Sequence, residues 1–240
     1  MIVERLYPGP NVAIDMDDRD ALLDLYRPPR ADWLRLNLIA TVTGGASGSD
    51  GTSETLTNPV DRRILGVIRQ LADIVLIGAQ SLRAEEYVQP RRSRLAIVTA
   101  SGNLGGHRIV APEGDRPIVL CPAVATATVL ETLPIAEVIE LETGVDGTIA
   151  ASTMIDALRA AGFASIICEG GPSLAAQMLD AGLVDEFCLS TSPLVGGLPL
   201  PVTGSAAIAQ HGATLTQLLR DETSGLYARW ALVEPQASRR

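Results

Sequence analysis

The segment Ile166-Ile167-Cys168-Glu169-Gly170-Gly171-Pro172-Ser173-Leu174 joins a short apolar run to a sequence of helical character. Two adjacent glycines let the backbone approach a ligand closely, and Pro172 suits the first position of a helix. The unpaired N–H groups of a helix N-terminus, together with the helix dipole, attract phosphate groups. The segment therefore predicts a strand, a turn and a helix that bind a nucleotide-type ligand. A tight turn without any ligand is the alternative, because short glycine motifs also occur by chance.

The same change from strand-like to helix-like sequence recurs along the chain. Strands are predicted at 33–42, 72–78, 94–99, 117–121, 136–141, 166–168 and 183–191, and helices at 60–71, 124–132, 151–161 and 173–181. Such alternation is typical of an α/β sheet with parallel strand pairs and helices on both faces. The ligand crevice of such a sheet lies beyond the carboxyl ends of its strands, where Gly78, Thr99 and Glu169 fall. Residues 226–233 predict a last, antiparallel strand, and residues 198–224 show only weak periodicity.

Composition narrows the function classes. The chain has 240 residues, 47% of them hydrophobic and 20% charged, which suffices for one large core or two small ones. The net charge is −9 and the arginines are scattered among acids, so the chain offers no basic stripe for a nucleic-acid backbone. All 19 basic residues are arginine, which excludes Schiff-base chemistry on a lysine.

Cysteine and histidine are too sparse to predict a metal site. Cys121, Cys168 and Cys188 are far apart and lie in or beside apolar runs, so we expect buried thiols rather than a disulfide framework. His107 and His211 stand beside or near glycines and are expected to be exposed loop residues. No stretch reaches the roughly 18 apolar residues that a membrane span needs, and the first residues lack a secretory signal. We therefore expect a cytoplasmic protein without a membrane partner.

Two regions precede and enter the predicted sheet. Residues 1–32 are expected to form an arm, with a short helical piece at 21–26, that packs on the main body or on a partner subunit. The remaining residues, 33–240, are expected to form one domain. A Gly/Ser/Thr-rich loop at 43–59 follows the first strand of that domain, and loops of this length inside a compact domain are usually functional.

Six short segments, taken in order, resemble the pyrimidine reductase family, the C-terminal reductase domain of the bifunctional deaminase/reductase of riboflavin biosynthesis. They are LRLN at 34–37, DG at 50–51, ADIVLIGAQSLRAE at 72–85, CEGGP at 168–172, LVDE at 183–186 and SPLVGG at 192–197. Each motif alone is weak, but their shared order makes coincidence improbable. The zinc-binding deaminase half, with its His-x-Glu and Pro-Cys-x-x-Cys patterns, is absent from this sequence, so the resemblance is to a stand-alone reductase.

The resemblance implies a three-layer, dihydrofolate-reductase-like fold, with a mixed, mostly parallel central sheet and helices on both faces. It also implies NADPH-dependent hydride transfer to a pyrimidine or pterin-type small molecule, in the riboflavin case to the ribose C1′ of a ring-opened aminouracil phosphate. Activity like that of 5-amino-6-(5-phosphoribosylamino)uracil reductase is therefore expected. Members of the family commonly form homodimers through sheet edges and through loops near 193–201, so we expect a homodimer.

The resemblance also assigns roles to residues. The positions that match cofactor contacts are Gly78, Ser81, Glu85, Thr99, Ser101, Gly170, Gly171, Pro172, Ser173 and Leu174. The positions on the substrate side are Asn37, Arg69, Arg91, Arg92 and the catalytic candidate Glu169. A guanidinium group is the expected partner of a sugar phosphate, and a solvated surface charge is the alternative for each arginine.

One segment departs from the family pattern. Where the family has Ser-Leu-Asp-Gly, this chain reads Thr41-Val42-Thr43-Gly44, so the hydroxyl of Thr43 takes the catalytic position of an acid that faces the substrate. A hydroxyl can hydrogen-bond but cannot act as a carboxylate acid or base at neutral pH. The acid–base role could pass to Glu169 or to a water molecule. A dihydrofolate-type or other small-molecule reductase, an NADPH-binding protein without catalysis, and a flavin-binding or structural subunit are therefore the alternatives.

Overall fold

The structure, a computed structural model, describes residues 1–85, 87–110 and 115–233, so residues 234–240 of the expected main domain lie outside it. The strands are β1 (Ile2–Tyr7), β2 (Val12–Asp15), β3 (Leu34–Thr41), β4 (Ile74–Gly78), β5 (Arg94–Val98), β6 (Ile118–Cys121), β7 (Glu137–Glu140), β8 (Ile166–Cys168), β9 (Glu186–Ser192), β10 (Gly212–Arg220) and β11 (Leu226–Val233). The helices are α1 (Arg19–Tyr26), α2 (Pro59–Gln70), α3 (Ala79–Ala84), α4 (Thr126–Thr132), α5 (Ala151–Ala160) and α6 (Pro172–Asp180).

The strands form one sheet in the order β2-β1-β10-β11-β9-β3-β8-β4-β5-β6-β7. Strands β9, β3, β8, β4, β5, β6 and β7 run parallel to one another. Strands β11, β10, β1 and β2 add antiparallel pairs at the other side of β9. The expected mixed, mostly parallel sheet is confirmed, as is the antiparallel last strand.

Helices cover both faces of the parallel half. Successive residues of β4 alternate between the two cores: Val75 and Ile77 pack with α1, α2, α3 and α4, whereas Ile74 and Leu76 pack with α5 and α6. Strands that are buried on both faces read as continuous apolar runs, which is why this part of the sequence is easy to interpret. The three-layer arrangement is confirmed.

Helix α2 has clear local causes. The side chain of Asn58 accepts a hydrogen bond from the N–H of Asp61, and Pro59 occupies the first helical position. Its buried residues Val60, Ile64 and Val67 recur at helical spacing and face the sheet. The helix therefore presents a different face, which includes Asp61, to the end of the sheet.

Three strands escaped the sequence analysis. Strand β10 lies in the stretch of weak periodicity, and of its nine residues only Gln217 and Leu219 are buried, so alternation along it is faint. Strands β1 and β2 lie in the segment treated as an arm, and β1 pairs with β10. Helix α1 forms where a helical piece was expected and packs on the main body through Leu22 and Tyr26.

A buried ion network attaches α1 to the sheet. The carboxylate of Glu186, on β9, pairs with Arg35 of β3 and with Arg229 of β11, whose Nη2 lies 2.6 Å from Oε1. The same two arginines donate to the last carbonyl groups of α1, Arg35 to Tyr26 at 2.7 Å and Arg229 to Leu25. Cations that satisfy helix C-terminal carbonyls stabilise the helix end. The network therefore joins three strands and a helix at one point.

The cysteines and histidines differ in how well they were predicted. All three cysteines are free and buried, as expected. The exposed position expected for the histidines is wrong, since both are half-buried. The ring of His107 accepts from the N–H of Ile109 at 3.0 Å and lies 3.1 Å from the carbonyl of Thr132, so it closes the end of α4. Among the described helices, none is both long and apolar enough to span a bilayer.

Candidate active site

A cleft of about 880 Å³ opens at the carboxyl ends of the parallel strands. It is bounded by the ends of β3, β4 and β5, by α2, by the first turn of α6 and by the loop between β3 and α2. Eleven of the candidate residues line it: Asn37, Arg69, Gly78, Ser81, Glu85, Thr99, Glu169, Gly171, Pro172, Ser173 and Leu174. The structure therefore brings together positions that are up to 137 residues apart, from Asn37 to Leu174.

The other candidates lie outside the cleft lining. Thr43 is exposed in the turn after β3, where its hydroxyl lies 3.0 Å from that of Thr41 and accepts from the N–H of Gly196 at 3.2 Å. Arg91, Arg92 and Ser101 are also exposed and away from the cleft. The chain turns outward directly after β3, so the side chain that replaces the family acid serves a loop and not the cleft.

Gly170 lies just beneath the lining, in a backbone conformation that favours glycine. Its φ is +85°, and a Cβ added to it would lie 3.0 Å from Cδ2 of Leu38. Its carbonyl accepts from the N–H of Gly78 at 2.9 Å, and the next N–H, of Gly171, donates to the Ser81 hydroxyl at 2.7 Å. These bonds hold the turn after β8 against the end of β4. The backbone of both turns therefore forms the floor of the cleft.

Replacing this glycine should cost stability. We expect Gly170→Ala to lower the free energy of unfolding by about 1–3 kcal/mol, because the left-handed conformation and the tight Leu38 contact both oppose a Cβ. The matched control is Gly66→Ala in α2, where a Cβ meets open space and removal of a helical glycine should raise stability by about 0.5–1 kcal/mol. Urea titration of both variants measures the two effects, and equal stabilities for both would contradict the prediction.

The N-terminus of α6 forms one end of the cleft. The first turn of a helix leaves its N–H groups without intrahelical acceptors, so those of Ser173 and Leu174 are available, and Ala175 makes the first bond, to Gly171 at 2.9 Å. Gly204 lies opposite, and a Cβ on it would be 3.6 Å from the nitrogen of Ser173. Main-chain donors at a helix N-terminus beside small residues fit a diphosphate group.

Glu169 forms the other end of the cleft together with Arg69. Alternation from Ile167 turns Glu169 toward α2, where Nε and Nη2 of Arg69 donate to its two oxygens at 2.6 Å each. The Tyr87 hydroxyl donates to the same carboxylate at 2.7 Å, and the guanidinium lies 5.1 Å from the Tyr87 ring. The expected catalytic acid and the expected phosphate-binding arginine are therefore bonded to each other.

Burial and the ion pair shift the pKa values of two members of this cluster. Burial lowers the pKa of the Arg69 guanidinium, but the Glu169 carboxylate and then Tyr87 raise it by more, so the net shift is upward. Burial, and next the negative charge of Glu169, raise the pKa of Tyr87 well above its ordinary value. Arg69 therefore remains a cation and Tyr87 a neutral phenol, and both donate to the Glu169 carboxylate.

Two further candidate residues, Glu85 and Thr99, hydrogen-bond to loops around the cleft. The carboxylate of Glu85 accepts from the N–H and the hydroxyl of Ser53, at 3.1 and 2.9 Å, and so fixes the loop between β3 and α2. The hydroxyl of Thr99, a buried residue after β5, accepts from the N–H of Gly102 at 3.0 Å. Both side chains border the cleft, and both are already engaged by the protein.

The sequence analysis overlooked two acids of the cleft lining, Asp61 and Glu54, the second of which pairs with Arg62. Asp61, Leu65 and Arg69 are spaced by four residues on α2 and all line the cleft. This spacing places residues on one helix face, so the face could have been found from Arg69 alone. The segment 147–149, which lines the cleft beside Met154 of α5, gave no sequence signal.

Comparison with known proteins agrees with the fold. Residues 32–224 match the family model described as RibD C-terminal domain. A curated relative, the 2,5-diamino-6-ribosylamino-4(3H)-pyrimidinone 5′-phosphate reductase of Methanothermobacter thermautotrophicus, is 25% identical over 187 residues, which are 69% of this chain and 79% of the relative.

Two solved structures share the fold. A pyrimidine reductase-like protein of Corynebacterium diphtheriae superposes with a TM-score of 0.75 at 19% identity, over 89% of this chain and 99% of that one. The diaminohydroxyphosphoribosylaminopyrimidine deaminase/5-amino-6-(5-phosphoribosylamino)uracil reductase of Thermotoga maritima gives 0.69 at 18% identity, over 85% of this chain but only 57% of that one. Since the family model spans most of the sequence, this chain belongs to the RibD C-terminal domain family.

Proposed function

We propose that this protein is an NADPH-dependent reductase that acts on a ribosylaminopyrimidine phosphate or a closely related pyrimidine or pterin-type molecule. Its family membership and the name of its curated relative support this assignment. The observation that carries the proposal is one continuous cleft, which joins the main-chain donors of α6 to a polar pocket with acids beside β3 and α2. A two-substrate hydride transfer needs such a cleft, because both reactants must lie side by side.

The sheet divides the cleft into two halves. Val98, Met154 and Leu174 belong to the face covered by α5 and α6, whereas Arg69 and Glu169 lie on the face covered by α2. We assign the first half to the cofactor, with its diphosphate on the N–H groups of α6 and its rings on the apolar side chains. The second half takes the substrate. A bound nicotinamide ring would supply the hydride, and the protein supplies position and polarity.

The substrate half has few free charges. Arg62 and Arg69 line the cleft, and among the described residues each is paired with an acid, Glu54 and Glu169 respectively. We therefore assign Arg69 to hold Glu169 in place, and the amide of Asn37 to hydrogen-bond the heterocycle. A homodimer is also part of the proposal, supported by the exposed apolar residues of the loop near 193–201, such as Val195, which is 79% exposed.

Substitution at Ser173 tests the cofactor site without disturbing the fold. The side chain is exposed in the first turn of α6, where an acid stabilises a helix by about 0.3–1 kcal/mol. Ser173→Asp should therefore keep or raise the melting temperature, yet weaken NADPH binding at least tenfold by repelling the diphosphate. Ser173→Asn, which is neutral, should bind NADPH within about threefold of the wild type. Calorimetric titration gives both affinities, and equal binding by the two variants would contradict the proposed site.

Turnover distinguishes the candidate functions. Consumption of NADPH can be followed at 340 nm with the aminouracil ribosyl phosphate and separately with dihydrofolate. We expect it to be faster with the first substrate. Preference for dihydrofolate would support the dihydrofolate-type alternative. Binding without any turnover would support a non-catalytic dinucleotide-binding protein, and absence of any NADPH-induced thermal shift would reject the proposal.

A further inference from the structure

Asp61 has an unusual setting for an aspartate. It lies in the first turn of α2 with its side chain half-buried at the wall of the cleft, on the same helix face as Leu65 and Arg69. Carboxylates are rarely removed from water unless a cation or several donors compensate. Here the hydroxyl of Thr57 donates to Oδ2 at 2.7 Å, and Ser190 borders the same small cavity as the carboxyl group. Neutral hydroxyls are weak compensation for a buried charge.

Glu169, another acid of the cleft, is differently placed. Its carboxylate accepts two bonds from the Arg69 guanidinium and one from the Tyr87 hydroxyl. A bidentate arginine therefore occupies both of its oxygens. Thr43, at the position of the family acid, lies outside the cleft. Of Asp61, Glu169 and Thr43, Asp61 is the one that lines the cleft and whose carboxylate is not bonded to an arginine.

Several charged and titratable groups surround Asp61. Arg62 is its neighbour on α2, and Glu169 faces it from the end of β8. Tyr227 of β11 also lies close to Asp61, and its hydroxyl donates a hydrogen bond to Asp221 at 2.6 Å. Burial raises the pKa of Asp61 most, the hydroxyls of Ser190 and Thr57 and the charge of Arg62 lower it, and Glu169 raises it again, so the net shift is upward. Asp61 therefore keeps a proton to higher pH than an ordinary aspartate.

We propose that Asp61 is the proton donor of the reductase, a role that rests on the function proposed above. Reduction of a ring-opened ribosylamine consumes one hydride and one proton. The hydride, supplied by the reduced nicotinamide cofactor, forms the new bond to C1′. The π-electron pair of the C1′=N bond moves to nitrogen, which takes the proton from Asp61. The aspartate then regains a proton from solvent at the mouth of the cleft.

The test compares Asp61→Asn with Asp20→Asn, an exposed acid in the first turn of α1. General acid catalysis typically contributes 10²–10⁴-fold, so Asp61→Asn should lower kcat by about that factor while NADPH affinity stays within about twofold. The wild-type kcat should fall as pH rises through the pKa of Asp61, and this fall should be absent in the variant. Asp20→Asn should match the wild type in all three measurements.

A second measurement does not depend on turnover. The carboxyl ¹³C signal of Asp61 in the free protein should titrate at higher pH than an ordinary aspartate. Unchanged kcat and pH profile in Asp61→Asn, or titration of Asp61 in the ordinary range of an aspartate, would overturn the proton-donor role alone. A wild-type protein that binds NADPH but never oxidises it, or fails to bind it, would overturn the proposed function and this role together.

Discussion

Glu186→Ala is expected to lower the free energy of unfolding by about 3–5 kcal/mol, the usual cost of breaking a buried ion pair. The substitution leaves Arg35 and Arg229 facing each other with exposures of only 5% and 12% and no shared anion. It also loosens their bonds to the last carbonyls of α1. Since domains of this size are typically stable by 5–15 kcal/mol, the loss is a large part of the total.

Guanidinium chloride unfolding, followed by circular dichroism, measures this loss. The matched control is Glu4→Ala on β1, whose partner Arg220 is 52% exposed. Exposed ion pairs contribute about 0–1 kcal/mol, so the control should remain close to the wild type. A Glu186→Ala protein as stable as the control would show that the buried network contributes nothing beyond a surface pair.

Arg69→Met is expected to lower the free energy of unfolding by about 2–4 kcal/mol, because it leaves the Glu169 carboxylate, 8% exposed, without its cationic partner and with the Tyr87 hydroxyl still donating to it. This loss of stability should be smaller than that of Glu186→Ala, because Arg69 is itself 24% exposed and water can partly replace it. The control on the same helix is Arg63→Met, whose ion pair with Asp17 is exposed. It should cost no more than about 1 kcal/mol.

The double variant Arg69→Met/Glu169→Leu measures how strongly the two side chains are coupled. Replacing both partners of a buried pair with apolar residues is often neutral or stabilising, so the double variant should recover at least about 1 kcal/mol relative to Arg69→Met. Additive losses, seen in urea titrations of the two single variants and the double variant, would contradict a direct coupling. In that case Arg69 would be free to contact substrate, as the sequence comparison suggests.

The inner strands β4, β5, β6 and β8 could be located from the sequence with errors of a few residues, since each is apolar on both faces and is followed by a glycine, a proline or a polar turn. Strand β8 and helix α6 are examples, with Pro172 at the first helical position. Strand β10 could not be located from the sequence, because most of its residues are half-buried or exposed and its periodicity is weak. Tertiary pairing with β1 and β11, rather than local preference, makes it a strand.

The candidate site shows the same division. The glycine turn, the end of β4 and the Glu169 position follow from local sequence, because glycine and proline act on the backbone of their own segment. The identity of the acid that can give up a proton does not follow from local sequence, because it depends on neighbours that are distant along the chain. Arg69 lies 100 residues from Glu169 along the chain and bonds to its carboxylate, whereas the carboxylate of Asp61 accepts from the hydroxyl of Thr57.

By itself the sequence determined the layered α/β fold, the family and the turn at the N-terminus of α6. The tertiary structure alone decided that Thr43 lies outside the cleft, that Arg69 and Glu169 neutralise each other and that Asp61 stands beside them. The physical reason is the distance along the chain over which each property is determined. Backbone conformation responds to residues a few positions away, whereas burial, ion pairing and protonation respond to whatever the fold places within a few ångströms.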